Sequence, residues 1–159
     1  MTDLDTAKQT EDQAILARLA KESKSEDVRR AAIRRLEDQT LLADVAETAK
    51  DPRIRFSAAT QLEDQEVLGR LALSDGDSEV RAAAIGKLTD QELLRSFALE
   101  GKDPGVRRAA TYGLSGAETL KQIALADSDA RVCEAAAEKI EDQRVLARRN
   151  RSVGRQPVY

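Results

Sequence analysis

Asp51 and Arg55 stand four residues apart, and so do Asp77 and Arg81, a spacing that brings a carboxylate and a guanidinium together on one turn of a helix. Arg29 and Arg107 fall at the same register, so a row of arginines results. Such a row can grip phosphates or partner carboxylates, because guanidinium donors match paired oxygens. Its strict recurrence argues for a structural role instead, as a ladder satisfying loop carbonyls and carboxylates. Other reactive groups are few. The chain has no histidine, which removes Ser-His triads, Cys-His nucleophile pairs and Cys-His zinc sites. Cys133 is the single cysteine, so no internal disulfide forms and a reducing cytoplasm is the expected location. No glycine-rich phosphate loop occurs, and no acid pair stands apart from the repeated ones. The expectation is a non-enzymatic protein with no cofactor and no metal.

The elements that carry these residues come from a repeat. The sequence restarts every 26 residues, at Glu11, Glu37, Glu63, Thr89, Ser115 and Glu141. Leucine holds the sixth position of every copy, alanine the twenty-second (Ala32, Ala58, Ala84, Ala110, Ala136), and Leu or Ile the last (Leu36, Leu62, Leu88, Leu114, Ile140). In the third copy Val67, Leu68, Leu71 and Ala72 make one helical stripe, and Val80, Ala83, Ala84 and Leu88 make another. Ser25, Asp51, Asp77, Asp103 and Asp129 are N-cap residues for the second helix, with Pro52 and Pro104 at its first position. Thr89 with Glu92, and Ser115 with Glu118, match the capping box for the first helix. Each helix is about three turns long and too short to stand alone, so the repeats must stack. The predicted fold is all-α, a solenoid of five stacked helix-turn-helix repeats (11–36, 37–62, 63–88, 89–114 and 115–140) plus a partial sixth over 141–150.

The string DSEVRAAAIGKL (77–88) resembles the second helix of HEAT-like repeats. The DQxLLxxLA half and the short period are similar to leucine-rich-repeat-variant modules and to compact HEAT-like arrays of bacterial proteins. The resemblance spans residues 11–140. It implies a superhelix whose second helices line the concave face, with Arg29, Arg55, Arg81 and Arg107 laddered to aspartates. The iron–sulfur cysteine cluster of the variant family has no counterpart, since Cys133 stands alone.

Residues 1–10 read as a flexible or capping segment, 11–146 as a single solenoid domain, and 151–159 as a disordered basic tail. The chain carries a formal net charge of −3, and five arginines lie from Arg144 onward with no acid, which leaves residues 1–143 at −8. No apolar run approaches the roughly 18 residues of a membrane span. Because packing positions stay constant, the positions that vary on the second helix mark the working surface. They include Arg30, Arg34, Arg53, Phe56, Ala82, Gly86, Arg108 and Tyr112. Arginines 30, 34 and 53 are expected to make one end of this face basic, and Glu134 and Glu138 the other end mixed to acidic. Exposed aromatics and arginines anchor protein interfaces. The expected function is a scaffold that holds a protein or peptide segment on the second-helix face, as a monomer or with weak end-to-end association. The alternative is nucleic-acid or other polyanion binding through these arginines and the tail.

Overall fold

Two ten-residue helices and two three-residue links fill one 26-residue period. The structure, a computed structural model, describes residues 2–153, with side chains through Arg148. Among them lie eleven helices and no strand: α1 (Asp3–Gln9), α2 (Gln13–Glu22), α3 (Glu26–Arg35), α4 (Gln39–Thr48), α5 (Pro52–Gln61), α6 (Gln65–Ser74), α7 (Ser78–Lys87), α8 (Gln91–Glu100), α9 (Pro104–Gly113), α10 (Ala117–Ala126) and α11 (Ala130–Val153). The chain divides into two compact bodies, Met1–Thr89 and Asp90–Tyr159. The division falls one residue into the fourth repeat. Among the described residues no helix is long and apolar enough to cross a membrane.

In the first body the helices pair as α2 with α3, α4 with α5 and α6 with α7, and the second helices α3, α5 and α7 pack in sequence. Ala32, Ala58 and Ala84 are fully buried, and their small side chains let these helices approach closely. Leu16, Leu42 and Leu68 fill the space behind them, and Leu36 and Leu62 close each pair. Truncating any of these to alanine is worth about 2–5 kcal/mol. Helix α1 begins with a capping box between Thr2 and Asp5, packs on α3 and buries Ala7, whose carbonyl accepts from Arg35 Nη1 at 3.2 Å. The second body repeats the scheme, α8 with α9 and α10 with α11, around Leu94, Phe97, Val106, Leu120 and Ile123.

Every link is made without a positive φ. Side chains hold the links from outside. The aspartate at the second position of the repeat caps the first helix: Asp12, Asp38, Asp64 and Asp90 each accept from first-turn N–H groups. This corrects the capping boxes expected at Thr89 and Ser115. The hydroxyl of Thr89 meets Gln65 Oε1 at 3.2 Å and that of Ser115 meets Gln91 Oε1 at 2.9 Å, so neither serves as cap. At the second helix, Asp51, Asp77, Asp103 and Asp129 accept from N–H groups two residues on, whereas Ser25 makes no side-chain cap.

The glutamine at the third position staples the exit link of its own repeat. Gln39 donates from Nε2 to the Gln61 carbonyl (3.3 Å) and accepts from the Glu63 N–H (2.9 Å). Gln65 does the same with Lys87 (3.2 Å) and Thr89 (2.9 Å), and Gln91 with Gly113 (3.1 Å) and Ser115 (2.9 Å). The fifth repeat has Ala117 there, and its exit link does not form. Where a turn and a separate sixth first helix are expected, α11 runs unbroken through Lys139–Asp142 to Val153. The backbone groups at 139–142 pair along the helix instead. Of the tail expected at 151–159, residues 151–153 belong to α11 and 154–159 lie outside the described residues.

The arginine row is a ladder. Arg55 Nη1 donates to its own link at Ala49 O (2.9 Å), while Nε and Nη2 make a bidentate pair with Asp75 of the next repeat (2.8 and 2.9 Å). Arg107 repeats this with Gly101 O and Asp127, and Arg81 Nη1 donates to Asp75 O at 2.9 Å. At Arg29 the next repeat offers Ala49 where the repeats after Arg55 and Arg107 offer Asp75 and Asp127, so only Nη2 finds a carboxylate, Asp51 at 2.9 Å, and the buried Nε has no partner.

Candidate interaction site

The varying positions of the second helices do reach the surface. Arg30, Arg34, Arg53, Phe56, Gly86, Arg108 and Tyr112 are exposed, and Ala82 is half-buried. The periodicity of α3, α5, α7 and α9 explains this, since the alanine and the branched residue of each stripe point inward and leave these positions outward.

In the first body a cleft of about 320 Å³ opens at the N-terminal ends of α3, α5 and α7. Phe56 forms part of its wall, with its side chain 40% exposed on a surface where aromatic rings are otherwise absent. Glu26, Arg30, Asp51, Arg53, Asp77 and Glu79 line the rest together with Pro52, Ile54 and Ser57. The expected basic end is therefore corrected. Arg53 lies between Glu26 (2.8 Å) and Asp51 (3.3 Å), and Arg30 stands 3.8 Å from Glu26. Four carboxylates face two guanidiniums, so the cleft is acidic on balance. Hydrogen bonding to Asp51 holds the Arg53 guanidinium above its ordinary pKa. At Asp51 burial pushes the carboxyl up, but hydrogen bonds from Arg29 and Arg53 outweigh it and leave the group below the usual carboxylate range.

The structure joins three of the residues singled out from sequence, Arg30, Arg53 and Phe56, in this one cleft. Arg34 lies instead in a shallow groove with Leu4, Lys8, Asp27, Arg30 and Ala31, beside α1. Ala82 and Gly86 belong to α7 but do not line the cleft. Sequence reasoning missed the carboxylate of Glu26 and took Asp77 only for an N-cap and ladder residue, while Glu79 was among the varying positions of the second-helix face. The available signal was the clustering of acids at the first positions of α3 and α7, which the two-residue offset between cap and cleft wall hides.

Arg108 and Tyr112 belong to the second body. Tyr112 is 46% exposed, and its hydroxyl donates to Glu138 Oε2 on α11 at 3.1 Å. That carboxylate holds the phenol above its ordinary pKa. Cys133, at the ladder position of the last repeat, is half-buried and its Sγ lies 3.3 Å from the Asp127 carbonyl, taking over in weaker form the link contact that arginine makes elsewhere. Among the described residues no group of three acids or thiols is placed to hold a metal ion.

No protein-family model, no curated protein and no solved structure matches the chain.

Proposed function

We propose that the chain is a non-catalytic binding scaffold of HEAT-like, solenoid type, which takes a partner segment on its second helices. The observation that supports this most directly is the Phe56 cleft, where a half-exposed ring is rimmed by Glu26, Asp51, Asp77 and Glu79 against Arg30 and Arg53. An aromatic wall with a surplus of carboxylates suits a lysine or arginine side chain lying along the ring with its cation toward the acids. The partner segment is therefore basic, with an apolar residue beside its cation. A polyanion gains little here, because Arg30 and Arg53 are already engaged by acids of the same cleft.

Selection of a random peptide library on the full chain tests the reading. Enrichment of sequences that carry Lys or Arg beside an aliphatic or aromatic residue is expected. Phe56→Ala should weaken the selected peptides by on the order of 1–3 kcal/mol while leaving the far-ultraviolet circular dichroism unchanged. Glu79→Lys should weaken them more steeply at low salt than at high salt. Enrichment of acidic sequences, or equal binding to the Phe56→Ala variant, would overturn it.

A further inference from the structure

The run-on helix α11 leaves two complementary surfaces uncovered on one chain. The first belongs to the end of the fifth repeat. At the tenth, twenty-third and last positions of a repeat, Ala20, Ile33 and Leu36 are buried, as are Ala46, Ala59 and Leu62, and Ala98, Thr111 and Leu114. Each of these sets has a following repeat within the same body. Their counterparts in the fifth repeat are Ala124 and Ile140, half-buried, and Ala137, exposed. The second surface lies on α11. Residues 141–147 read EDQRVLA, against EDQEVLG for 63–69, so this stretch has the sequence of a first helix. Its Val145 and Leu146 are 52% and 56% exposed, although Val67 and Leu68 at the same positions are buried.

Within each body the first helices of successive repeats already pack on one another, α4 on α2 and α10 on α8, so a 141–148 first helix has a place beside α10. Within one chain the two surfaces do not meet, because α11 runs unbroken from Ala130 to Val153. Gln143 fixes it in that course, donating from Nε2 to the Ser115 carbonyl at 3.1 Å. A second copy removes the conflict. We propose that the chain self-associates by reciprocal exchange, the 141–148 stretch of each copy covering Ala124, Ala137 and Ile140 of the other. Exchange keeps α11 unbroken and still supplies the missing first helix to both ends, which is the arrangement of a swapped dimer. It does not depend on the Phe56 cleft, which lies on the other body.

Sedimentation equilibrium of the full chain, from low to high micromolar concentration, reads the result. A monomer–dimer equilibrium is expected. Leu146→Arg and Ala137→Arg should each weaken it roughly tenfold or more, since each places a charge in both junctions of the dimer. Circular dichroism of each variant monomer should match the parent, because both side chains are exposed. An equimolar mixture of the two variants should associate more tightly than either alone. In the mixed dimer one junction carries both changes and the other carries none. A monomer throughout the concentration range overturns the proposal. So does a dimer that Ala137→Arg leaves intact, which would indicate α11 pairing only with its counterpart.

Discussion

Residues 62–65 and 140–143 read LEDQ and IEDQ, yet the first stretch is a three-residue link leading into a helix and the second lies inside a helix. Local propensity cannot separate them. What differs is the support. The link at 62–64 is gripped by Gln39 from 24 residues away, and it leads into α6, with Val67, Leu68, Leu71 and Ala72 buried. The stretch at 140–142 would need a glutamine at position 117 and has Ala117. A sixth first helix folded back there would bring only Val145 and Leu146 to the core, because Arg149 and Asn150 occupy the next two stripe positions. The same repeat supplies its own control. Its inner link at 127–129 is held by Arg107 from the repeat before, and that link does turn. In this chain the turns are imposed from a distance.

The strongest way to break that comparison is to remove the support of the inner link. Arg107→Ala strands the buried Asp127 carboxylate and the Gly101 carbonyl, and chemical denaturation should show a loss of about 3 kcal/mol. The acid arm of the same experiment follows from charge. The hydrogen bonds from Arg107 hold the Asp127 carboxyl below the usual carboxylate range, so its contribution is complete above about pH 4 and is lost as the pH falls through the lower folded value. Asp127→Asn should flatten stability against pH in that acid window and nowhere else. Next in size is Gln39→Ala, which leaves the Gln61 carbonyl and Glu63 N–H without their protein partners. The expected loss is about 1–2 kcal/mol, with faster hydrogen exchange confined to residues near 61–64. Ala49→Asp should move the other way by about 1 kcal/mol, by giving the unpaired Arg29 Nε the carboxylate that Asp75 gives Arg55. The smallest effect belongs to Gly116→Asp, which restores the N-cap of α10 for a gain of a few tenths of a kcal/mol, about what separates glycine from aspartate at that position. If Gln39→Ala and Ala49→Asp both leave stability unmoved, side chains from afar do not make the links.

The helices and their inward faces were legible from sequence because a fixed register writes them five times over. The N-cap aspartates of the second helices could be read for the same reason, as could the ladder of Arg29, Arg55 and Arg107. The Thr89 and Ser115 capping boxes misled because the pattern ignores a competing partner. Gln65 and Gln91 take those hydroxyls, and an aspartate one residue later caps better than threonine. The fate of 140–142 was hidden in a substitution that looks minor, glutamine to alanine 24 residues upstream. Its signal was present in the four glutamines Gln13, Gln39, Gln65 and Gln91, and it acquires meaning only with the distances across the link. The acidity of the Phe56 cleft was obscured in a different manner. Glu26 and Arg53 lie 27 residues apart, and only the packing of α3 against α5 brings them to 2.8 Å.

The links contain no left-handed residue, and their supports are set by offset. Glutamine pairs with the residues 22 and 24 further on, and arginine with the aspartate 20 further on or, at Arg29, 22 further on. A gene that copied any 26-codon stretch from the middle of this chain in tandem would reproduce the glutamine pairings at the new join, wherever the copy began, because they go to backbone groups. Lengthening by whole repeats is thus mechanically neutral, and loss of a single codon is not, since one deletion throws glutamine, arginine and core leucine out of step together. The two ends escape this bookkeeping: α1 and the Ala117 repeat have their own sequences, and growth would push them apart unchanged.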